Sequence, residues 1–169
     1  MTSDAPALRA DLLGFKEHDH GACVASVLQA ADSYCEQEGL RLTPVRRKVL
    51  ELLLEQHRAL GAYAILELLG KAGFGSQPPV AYRALDFLTE HGFAHKIERL
   101  NAFIACTHPG ENHTPAFMIC RLCDAVAEAS AAPAKGALGV AARKSGFQIE
   151  RTIVEAEGIC PLCADTVNA

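Results

Sequence analysis

The sequence contains two C-x-x-C pairs, CRLC at Cys120–Cys123 and CPLC at Cys160–Cys163, which use four of its seven cysteines. Disulfide bonds, a redox active site and a metal clamp would each use such pairs. A redox site requires one C-x-x-C at a helix start beside a thioredoxin-like βαβ unit, whereas this chain has a second pair and no such unit. Two pairs with 36 residues between them fit a tetrahedral four-thiolate zinc site, which leaves no open position for catalysis. Four unrelated buried cysteines are the remaining alternative.

Four further residues that can bind a metal lie around the middle of the chain: His95, Cys106, His113 and Glu128. Taken singly, each has an ordinary interpretation, as an exposed ribbon residue, a small core residue, a loop histidine and a solvated strand residue. Taken together, they span a predicted ribbon, a linker and the next strand, so one metal held by all four would fix the angle between the two halves of the chain. One thiolate with nitrogen and oxygen donors suits Zn²⁺ better than Mg²⁺ or Mn²⁺. Because four protein ligands leave no position for a catalytic water, the set predicts a sensor and not an enzyme.

The composition indicates a globular protein in a reducing compartment. Half of the 169 residues are hydrophobic, which is enough for a core. The sequence shows no signal peptide, and no apolar run approaches the ~18 residues that a membrane span requires. We therefore expect a cytoplasmic protein with no membrane partner, whose cysteines bind metal and do not form disulfides. The net charge of −4 does not indicate a nucleic-acid binder, but Arg41–Lys48 carries four positive charges and no negative one.

The N-terminal half has the periodicity of helices, which would position the first of these ligands. A first helix is predicted within Cys23–Arg41, and a second begins with Thr43 as N-cap and Pro44 at the first helical position. Two further helices follow, one over Tyr63–Ala72 and one from the prolines near residue 78 to Gly92. A two-stranded ribbon then turns near Asn101. Several helices followed by a hairpin is the order of a winged helix-turn-helix.

The C-terminal half predicts a small α+β unit after a turn-rich linker, Thr107–Pro115. Two strand candidates, AFMIC and AVAEAS, lead to an alanine-rich helix expected from about Ala131 to Lys144. The alternating segment Gly146–Gly158 predicts a long strand that runs into the final CPLC. A unit of about 50 residues often needs a metal or a partner to be stable.

With these motifs the sequence resembles the ferric uptake regulator (Fur) family, and within it the branch of zinc uptake regulators. The similarity covers about residues 23–163. It is carried by RLTPVRRKVLELL, PPVAYRALDFLTEHGFAHKIE, FIAC, NHT, FMICRLCDAVAE and GFQIERTIVEAEGICPLC. The run YRALDFL followed by paired C-x-x-C motifs is the most specific part.

The resemblance implies an α+β fold, in which an N-terminal winged helix-turn-helix domain precedes a small α/β dimerisation domain stapled by a four-cysteine zinc site. The implied divisions are an N-terminal arm (1–22), a DNA-binding domain (23–106), a hinge (107–115) and a dimerisation domain (116–169). The implied function is that of a repressor: a zinc-loaded homodimer that binds double-stranded palindromic operator DNA and controls zinc-uptake genes. Two Zn²⁺ per monomer are implied, one structural and one regulatory.

Carried over by position, the resemblance assigns each ligand set a role. Cys120, Cys123, Cys160 and Cys163 take the structural zinc. His95, Cys106, His113 and Glu128 take the regulatory zinc. Tyr82 and Arg83 fall on the recognition helix, and we expect Arg83 to contact a guanine edge while Arg46, Arg47, Tyr82 and Lys96 contact phosphate or sugar.

The sequence departs from the family in two places. Val80 and Ala81 stand where relatives usually carry Thr-Val, so a hydroxyl that would meet a phosphate or cap the helix is missing. On the third helix, Glu67 keeps the acid of a charge pair that joins neighbouring dimers on DNA in some relatives. Gly70 replaces the arginine of that pair, which leaves open whether dimers pair on DNA.

Two alternative functions are also open. A family member that senses iron or manganese is the nearest, and the absence of the histidine-rich stretch of iron sensors, together with Cys106, favours zinc over it. The second is a zinc-stabilised interaction module without an operator, which would leave the basic PVRRK and the AYRALDFL helix unexplained. An additional metal bound by His18, Asp19, His20 and Cys23 is a further open question.

Overall fold

The structure is a computed structural model that describes Phe15 and residues 20–55, 58–110, 113–132 and 135–167. The predicted N-terminal arm (1–22) falls mostly outside these ranges, as do His18 and Asp19. No helix in the described ranges has both the length and the apolar character to traverse a bilayer. The elements of the described chain are α1 (His20–Gln37), α2 (Pro44–Leu54), α3 (Ala62–Lys71), α4 (Pro78–Glu90), β1 (Ala94–Ile97), β2 (Ala102–Ala105), β3 (Thr114–Cys120), β4 (Val126–Ala131), α5 (Ala137–Ser145), β5 (Val154–Gly158) and α6 (Pro161–Val167).

The first four helices form one hydrophobic core, and the predicted start of α2 is confirmed. Thr43 Oγ1 accepts a hydrogen bond from the backbone N–H of Arg46 (3.4 Å), and Pro44 begins the helix, where its missing N–H costs no intrahelical bond. The apolar residues of α2 pack against those of α4. The opposite face of α4 carries Tyr82 and Arg83, which are exposed.

β1 and β2 form the antiparallel ribbon that follows α4. Asn101 lies in its turn with φ at +45°, in the left-handed region that asparagine tolerates better than most residues. Leu60 exchanges two backbone hydrogen bonds of 2.8 Å with Phe103, so the segment before α3 pairs with the ribbon. Helices α1–α4 and this ribbon form the predicted winged helix-turn-helix.

The C-terminal half contains a three-stranded sheet with β3 at its centre. β4 pairs antiparallel with β3, and β5 pairs parallel with its other edge. β3 begins at Thr114, so the segment without regular structure after the ribbon ends before that residue. The strand places its carboxyl end at Cys120, beside the end of β5 at Gly158.

Two element boundaries predicted in this half are wrong. The alanine-rich segment from Ala131 does not start a helix, because β4 continues to Ala131, which pairs with Thr114, and α5 begins only at Ala137. The predicted long strand Gly146–Gly158 is restricted to β5. Parallel pairing sets Val154 opposite Ala116, so residues before Thr152 would lie opposite positions that precede the start of β3.

A second hydrophobic cluster lies where the two halves meet. Ile97 and Ile104 come from the ribbon, and Phe117, Ile119 and Val126 come from the C-terminal sheet; all five are buried. The ribbon therefore packs on this sheet as well as on its own helices, and the two halves share apolar contacts.

Polar contacts join the same halves at the tip of the ribbon. The Glu155 carboxylate accepts hydrogen bonds from the backbone N–H groups of Glu98 (2.7 Å) and Arg99 (3.0 Å), which are consecutive in the ribbon turn. Arg99 Nε donates to Glu157 Oε2 (2.6 Å), and Arg151 approaches Glu98 (3.4 Å). We call these five residues the polar clasp. It attaches the turn of the ribbon to the start of β5.

Candidate metal centres

The four cysteines of the C-x-x-C pairs meet in the C-terminal half and form the four-cysteine cluster. Their Sγ atoms all lie within 4.8 Å of one another, and Cys123 Sγ is 3.8 Å from Cys160 Sγ. The turn after β3 supplies the first pair. It is closed by the Asp124 N–H, which donates to Cys120 O (3.0 Å), and the Arg121 N–H donates to Gly158 O (2.9 Å) and so brings the second pair alongside.

The thiols of this cluster have unequal proton affinities. The Cys160 N–H donates to Cys120 Sγ (3.3 Å). This bond, with smaller contributions from the backbone N–H groups of Leu122 and Cys123, outweighs burial and lowers the pKa of Cys120 to about 6. Hydrogen bonding to Cys160 and then Cys123 raises the pKa of Cys163 to about 12. Four thiolates so close together would repel one another, so all four thiols can be deprotonated together only with a cation between them.

His95, Cys106, His113 and Glu128 meet at the boundary between the halves and form the mixed cluster. One ligand atom from each residue lies within 4.8 Å of all the others. Glu128 Oε1 is at the centre, 2.9 Å from His113 Nε2, 3.2 Å from His95 Nε2 and 3.8 Å from Cys106 Sγ. The ordinary interpretation of Glu128 as a solvated residue is wrong, since it is only 3% exposed.

Different elements position the four ligands. His95 lies in β1 opposite Ile104 of β2, and Cys106 follows β2, where its N–H donates to Phe93 O (2.9 Å). His113 immediately precedes β3, and Glu128 lies in β4 opposite Phe117 of β3. The ribbon side and the sheet side therefore each contribute two ligands.

The spacing of the ligand atoms fits a four-coordinate zinc ion in both clusters. With Zn–N and Zn–O near 2.0 Å and Zn–S near 2.3 Å, the edges of a coordination tetrahedron are ~3.3–3.8 Å. In the mixed cluster, Cys106 Sγ is 3.7 Å from His113 Nε2, and the contacts to Glu128 Oε1 span 2.9–3.8 Å. Both donor sets are thus close to the size and chemistry that zinc requires.

Glu128 is held as a carboxylate by groups around both of its oxygens. Burial raises the pKa of the Glu128 carboxyl, but His95, the Thr107 N–H and His113 outweigh burial and lower it to about 2. Thr107 donates to Glu128 Oε2 from its N–H (2.9 Å) and from its hydroxyl (3.0 Å). The sequence interpretation placed Thr107 in a linker and missed this role, because no local pattern indicates a partner 21 residues away.

The five residues expected to contact DNA have different environments. Tyr82 and Arg83 lie on the exposed face of α4. The Arg46 guanidinium lies 3.7 Å from the Phe87 ring centroid and donates to Arg41 O (2.6 Å). Arg47 forms an ion pair with Asp32, and Lys96 pairs with Glu98 (3.2 Å). The last three cations therefore have partners within the protein, while keeping part of their side chains exposed.

Cys23 is the described member of the additional metal set considered at the N terminus. It lines a cavity of about 20 Å³ together with Cys106, Thr107 and Glu128, so α1 lies next to the mixed cluster. His18 and Asp19 lie outside the described residues, and α1 begins at His20, whose side chain is not described.

The chain is similar to zinc uptake regulators both in sequence and in structure. No protein-family model matches it. The zinc uptake regulation protein of Escherichia coli (strain K12) is 40% identical over 140 residues, which is 82% of this chain and 82% of that protein. A structure of a zinc uptake regulator complexed with zinc and DNA is 38% identical and superposes with a TM-score of 0.81, covering 86% of this chain and 98% of that one. The holo crystal structure of XcZur is 37% identical with a TM-score of 0.73, over 87% and 99% of the two chains.

Proposed function

The chain belongs to the zinc uptake regulators of the ferric uptake regulator family, and on that basis we propose that it is a zinc-sensing repressor that binds operator DNA and controls zinc-uptake genes. The observation that carries the proposal is the mixed cluster, whose four ligand atoms lie within 4.8 Å of one another while their residues come from both halves of the molecule. Members of this family regulate transcription and are not enzymes. A regulator of this kind acts in the cytoplasm, where its DNA is.

We assign two Zn²⁺ to each protomer. The four-cysteine cluster would hold the structural ion, because all its ligands lie in one half and leave no open position. The mixed cluster would hold the regulatory ion, for which one thiolate, two imidazoles and one carboxylate favour zinc over manganese. The donor sets fit the metal in both places.

The regulatory step that we propose is a change in the orientation of the halves. His95 and Cys106 on the ribbon side and His113 and Glu128 on the sheet side would hold the ion together. These residues would then fix the winged helix relative to the C-terminal sheet. Shifting such an equilibrium from 1:99 to 99:1 requires ~5.5 kcal/mol of preference for one orientation, which is within reach of a chelating site with four protein ligands.

The domain boundaries that we propose place ligands of the mixed cluster on both sides of a hinge. We assign residues 23–106 to DNA binding and residues 116–169 to dimerisation, with the hinge at 107–115 between them. Cys106 and Glu128 then lie on opposite sides of the hinge. A metal bound by both side chains would therefore bridge the hinge.

A homodimer is supported by apolar surface in the C-terminal half. β5 is an edge strand of the sheet that the described residues form, and unpaired strand edges readily pair with another chain. The large hydrophobic side chains exposed there are Leu122, Leu138, Val140, Phe147, Ile153, Ile159 and Leu162. Burying such a surface against a second copy would place two α4 helices on one face of DNA, with half-sites one helical turn apart, ~34–36 Å.

Base recognition is assigned to the exposed face of α4. Arg83 would contact a guanine edge, while Tyr82, Arg46, Arg47 and Lys96 would contact phosphate or sugar. Because three of the cations pair with Phe87, Asp32 and Glu98 in the protein, and the net charge is −4, we expect weak non-specific binding and a moderate salt dependence.

The test is selection from random duplex DNA at buffered free zinc and again with a chelator too weak to strip the four-cysteine cluster. The proposal requires that a palindrome is enriched only with zinc. Enrichment in neither condition, or equally in both, would overturn it.

Arg83→Ala tests the assignment of α4 in the selected operator. It should weaken binding by ~1–3 kcal/mol, or about 5- to 150-fold, and leave the zinc content unchanged. Arg143→Ala, which removes an exposed arginine of α5 in the other half, is the matched control and should bind like the wild type.

A further inference from the structure

The two oxygens of Glu128 face different groups. Oε1 faces the other three ligand atoms of the mixed cluster. Oε2 faces Thr107, which donates to it from its backbone N–H at 2.9 Å and from Oγ1 at 3.0 Å. With two donors already on Oε2, the carboxylate presents a single oxygen to the centre of the cluster.

Thr107 is itself held by His108. His108 Nδ1 lies 2.9 Å from Thr107 Oγ1. A threonine hydroxyl has one proton, and a metal-binding carboxylate is deprotonated and can only accept. Because the Thr107 proton goes to Glu128, His108 Nδ1 must donate to Thr107 Oγ1. The result is a directed chain from the imidazole through the hydroxyl to the carboxylate.

The same dipeptide also supports the thiolate ligand. The backbone N–H of His108 is 3.4 Å from Cys106 Sγ and donates to it. Thr107 and His108 thus contact two of the four ligands, Glu128 and Cys106, without placing a side-chain atom in the ligand set itself.

We propose that Thr107 and His108 are positioning residues that restrict Glu128 to one ligating oxygen, and thereby make the mixed cluster selective for a four-coordinate ion such as Zn²⁺. This inference rests on the proposed regulatory zinc site. Mn²⁺ and Fe²⁺ accept more oxygen donors in larger coordination shells, and a carboxylate free to offer both oxygens would suit them better. The two hydrogen bonds from Thr107 to Glu128 Oε2 keep this second oxygen from binding the ion.

The direct test is Thr107→Val, which removes the hydroxyl and keeps the branched shape and the backbone N–H. Removing a group that orients a metal ligand typically costs 10- to 100-fold in metal affinity. We therefore expect the zinc affinity of the mixed cluster to fall about 10-fold or more in competition with a chromophoric chelator, while the four-cysteine cluster keeps its ion. Mn²⁺ affinity should fall less or rise.

A spectroscopic readout reports on the coordination shell directly. Co²⁺ bound at the mixed cluster of the wild type should give the intense visible absorption of tetrahedral cobalt. In Thr107→Val the absorption per cobalt should weaken, as expected for a shell that gains a ligand. Thr107→Ser, which restores the hydroxyl, should recover both the spectrum and the zinc affinity.

Two further variants complete the design. His108→Phe removes Nδ1 but keeps the backbone N–H to Cys106, and should weaken zinc binding about two- to tenfold. It tests the proposal even where Thr107→Val alters folding. Thr89→Val is the matched control, because its hydroxyl donates within α4, to Leu85 O (2.9 Å) and Asp86 O (3.1 Å), and Thr89 belongs to neither cluster; zinc binding and the cobalt spectrum should not change.

The proposal is overturned if Thr107→Val and His108→Phe both bind zinc with wild-type affinity and selectivity. Cys106→Ser, titrated in parallel, separates this failure from that of the proposed function. If Cys106→Ser loses the more weakly bound zinc while the Thr107 and His108 variants keep it, the regulatory site is confirmed and the positioning role of these two residues is refuted. If Cys106→Ser keeps that zinc, the site assignment itself fails.

Discussion

Each of the two metal-ligand clusters brings four ligand atoms within 4.8 Å of one another, but the clusters connect different parts of the molecule. The four-cysteine cluster draws all its ligands from the C-terminal half, where the turn after β3 meets the start of α6. The mixed cluster draws two ligands from each side of the boundary between ribbon and sheet. A metal in the first cluster would close loops within one half, whereas a metal in the second would tie the halves together. On the proposed function, the position of the ligands along the chain, more than their number, would separate the stabilising site from the sensing one.

The donors differ in a way that suits these roles. Four thiolates hold zinc with high affinity, so the four-cysteine cluster should stay loaded at free zinc concentrations that empty the mixed cluster. The mixed cluster has one thiolate, at Cys106, and a carboxylate that is held in place by Thr107. On the proposed function, the site with fewer thiolates, at the boundary between the halves, would be the one that fills and empties with zinc supply.

Cys160→Ser should have the largest effect, because it would remove a ligand from the structural zinc site that we propose for the C-terminal half. Structural zinc supplies ~10–16 kcal/mol of apparent binding free energy in small domains, comparable with the whole stability of a domain, ~5–15 kcal/mol. Unfolding of β3 and β4 would also release Glu128 from the mixed cluster. We expect the variant to retain neither zinc, measured by metal analysis, and to lose the protection of the β3 and β4 amides against hydrogen exchange.

Cys35→Ala is the control for this loss, since Cys35 is buried in the helical core and belongs to neither cluster. It should keep both ions. A Cys160→Ser protein that keeps a regulatory zinc and a folded C-terminal half would contradict this expectation. It would show that the mixed cluster does not depend on the four-cysteine cluster.

Cys106→Ser should have a narrower effect. The four-cysteine cluster does not involve this residue, so we expect one zinc per protomer, an intact dimer and unchanged circular dichroism. DNA affinity at a fixed free zinc that saturates the wild type should fall about 100-fold, the upper range of coupling between two sites. Fluorescence anisotropy with a labelled operator, at buffered zinc, measures it.

Cys23→Ser is a close control, because this thiol lines the same small cavity as Cys106 but lies outside the mixed cluster. It should bind zinc and DNA like the wild type. A loss comparable with that of Cys106→Ser would mean that Cys23 is a ligand and that the mixed cluster has been assigned incorrectly.

Glu155→Gln should have the smallest effect, because the polar clasp joins the same halves without a metal. The substitution neutralises the Glu155 carboxylate, which accepts hydrogen bonds from the backbone N–H groups of Glu98 and Arg99. A loss of ~1 kcal/mol would raise the exchange rates of these two amide hydrogens about fivefold. Zinc content should not change, and DNA affinity should fall by no more than the same factor.

Glu150→Gln is the matched control on the same segment, since Glu150 is exposed and lies outside the clasp. Its exchange pattern should match the wild type. If Glu155→Gln instead weakens zinc binding as strongly as Cys106→Ser, the polar clasp and the mixed cluster form one cooperative unit and are not independent contacts between the halves.

Much of the fold followed from local sequence signals. The Thr43–Pro44 start of α2, the turn at Asn101 and the close approach within each C-x-x-C pair depend on residues a few positions apart. The meeting of His95, Cys106, His113 and Glu128 was predicted because their side-chain chemistry is unusual and because the family resemblance pointed to the same four.

The features that were missed depend on distant partners. Glu155 contacts the ribbon turn 56 and 57 residues away, and nothing in its own alternating segment distinguishes it from Glu157 or Glu150. The length of β5 is set by where β3 begins and not by the alternation itself. The alanines near Ala131 favour a helix intrinsically, but pairing of β4 with β3 overrides that preference.

The polar clasp also determines which motions of the winged helix remain. It holds the ribbon at its tip, while the mixed cluster holds it at its root, at His95 and Cys106. The ribbon already contacts the C-terminal sheet at the polar clasp and through the shared apolar cluster. Filling the mixed cluster would add a further attachment and reduce the rotational freedom that the winged helix still has. The orientational entropy of the winged helix would then be lost when zinc binds and not when DNA binds.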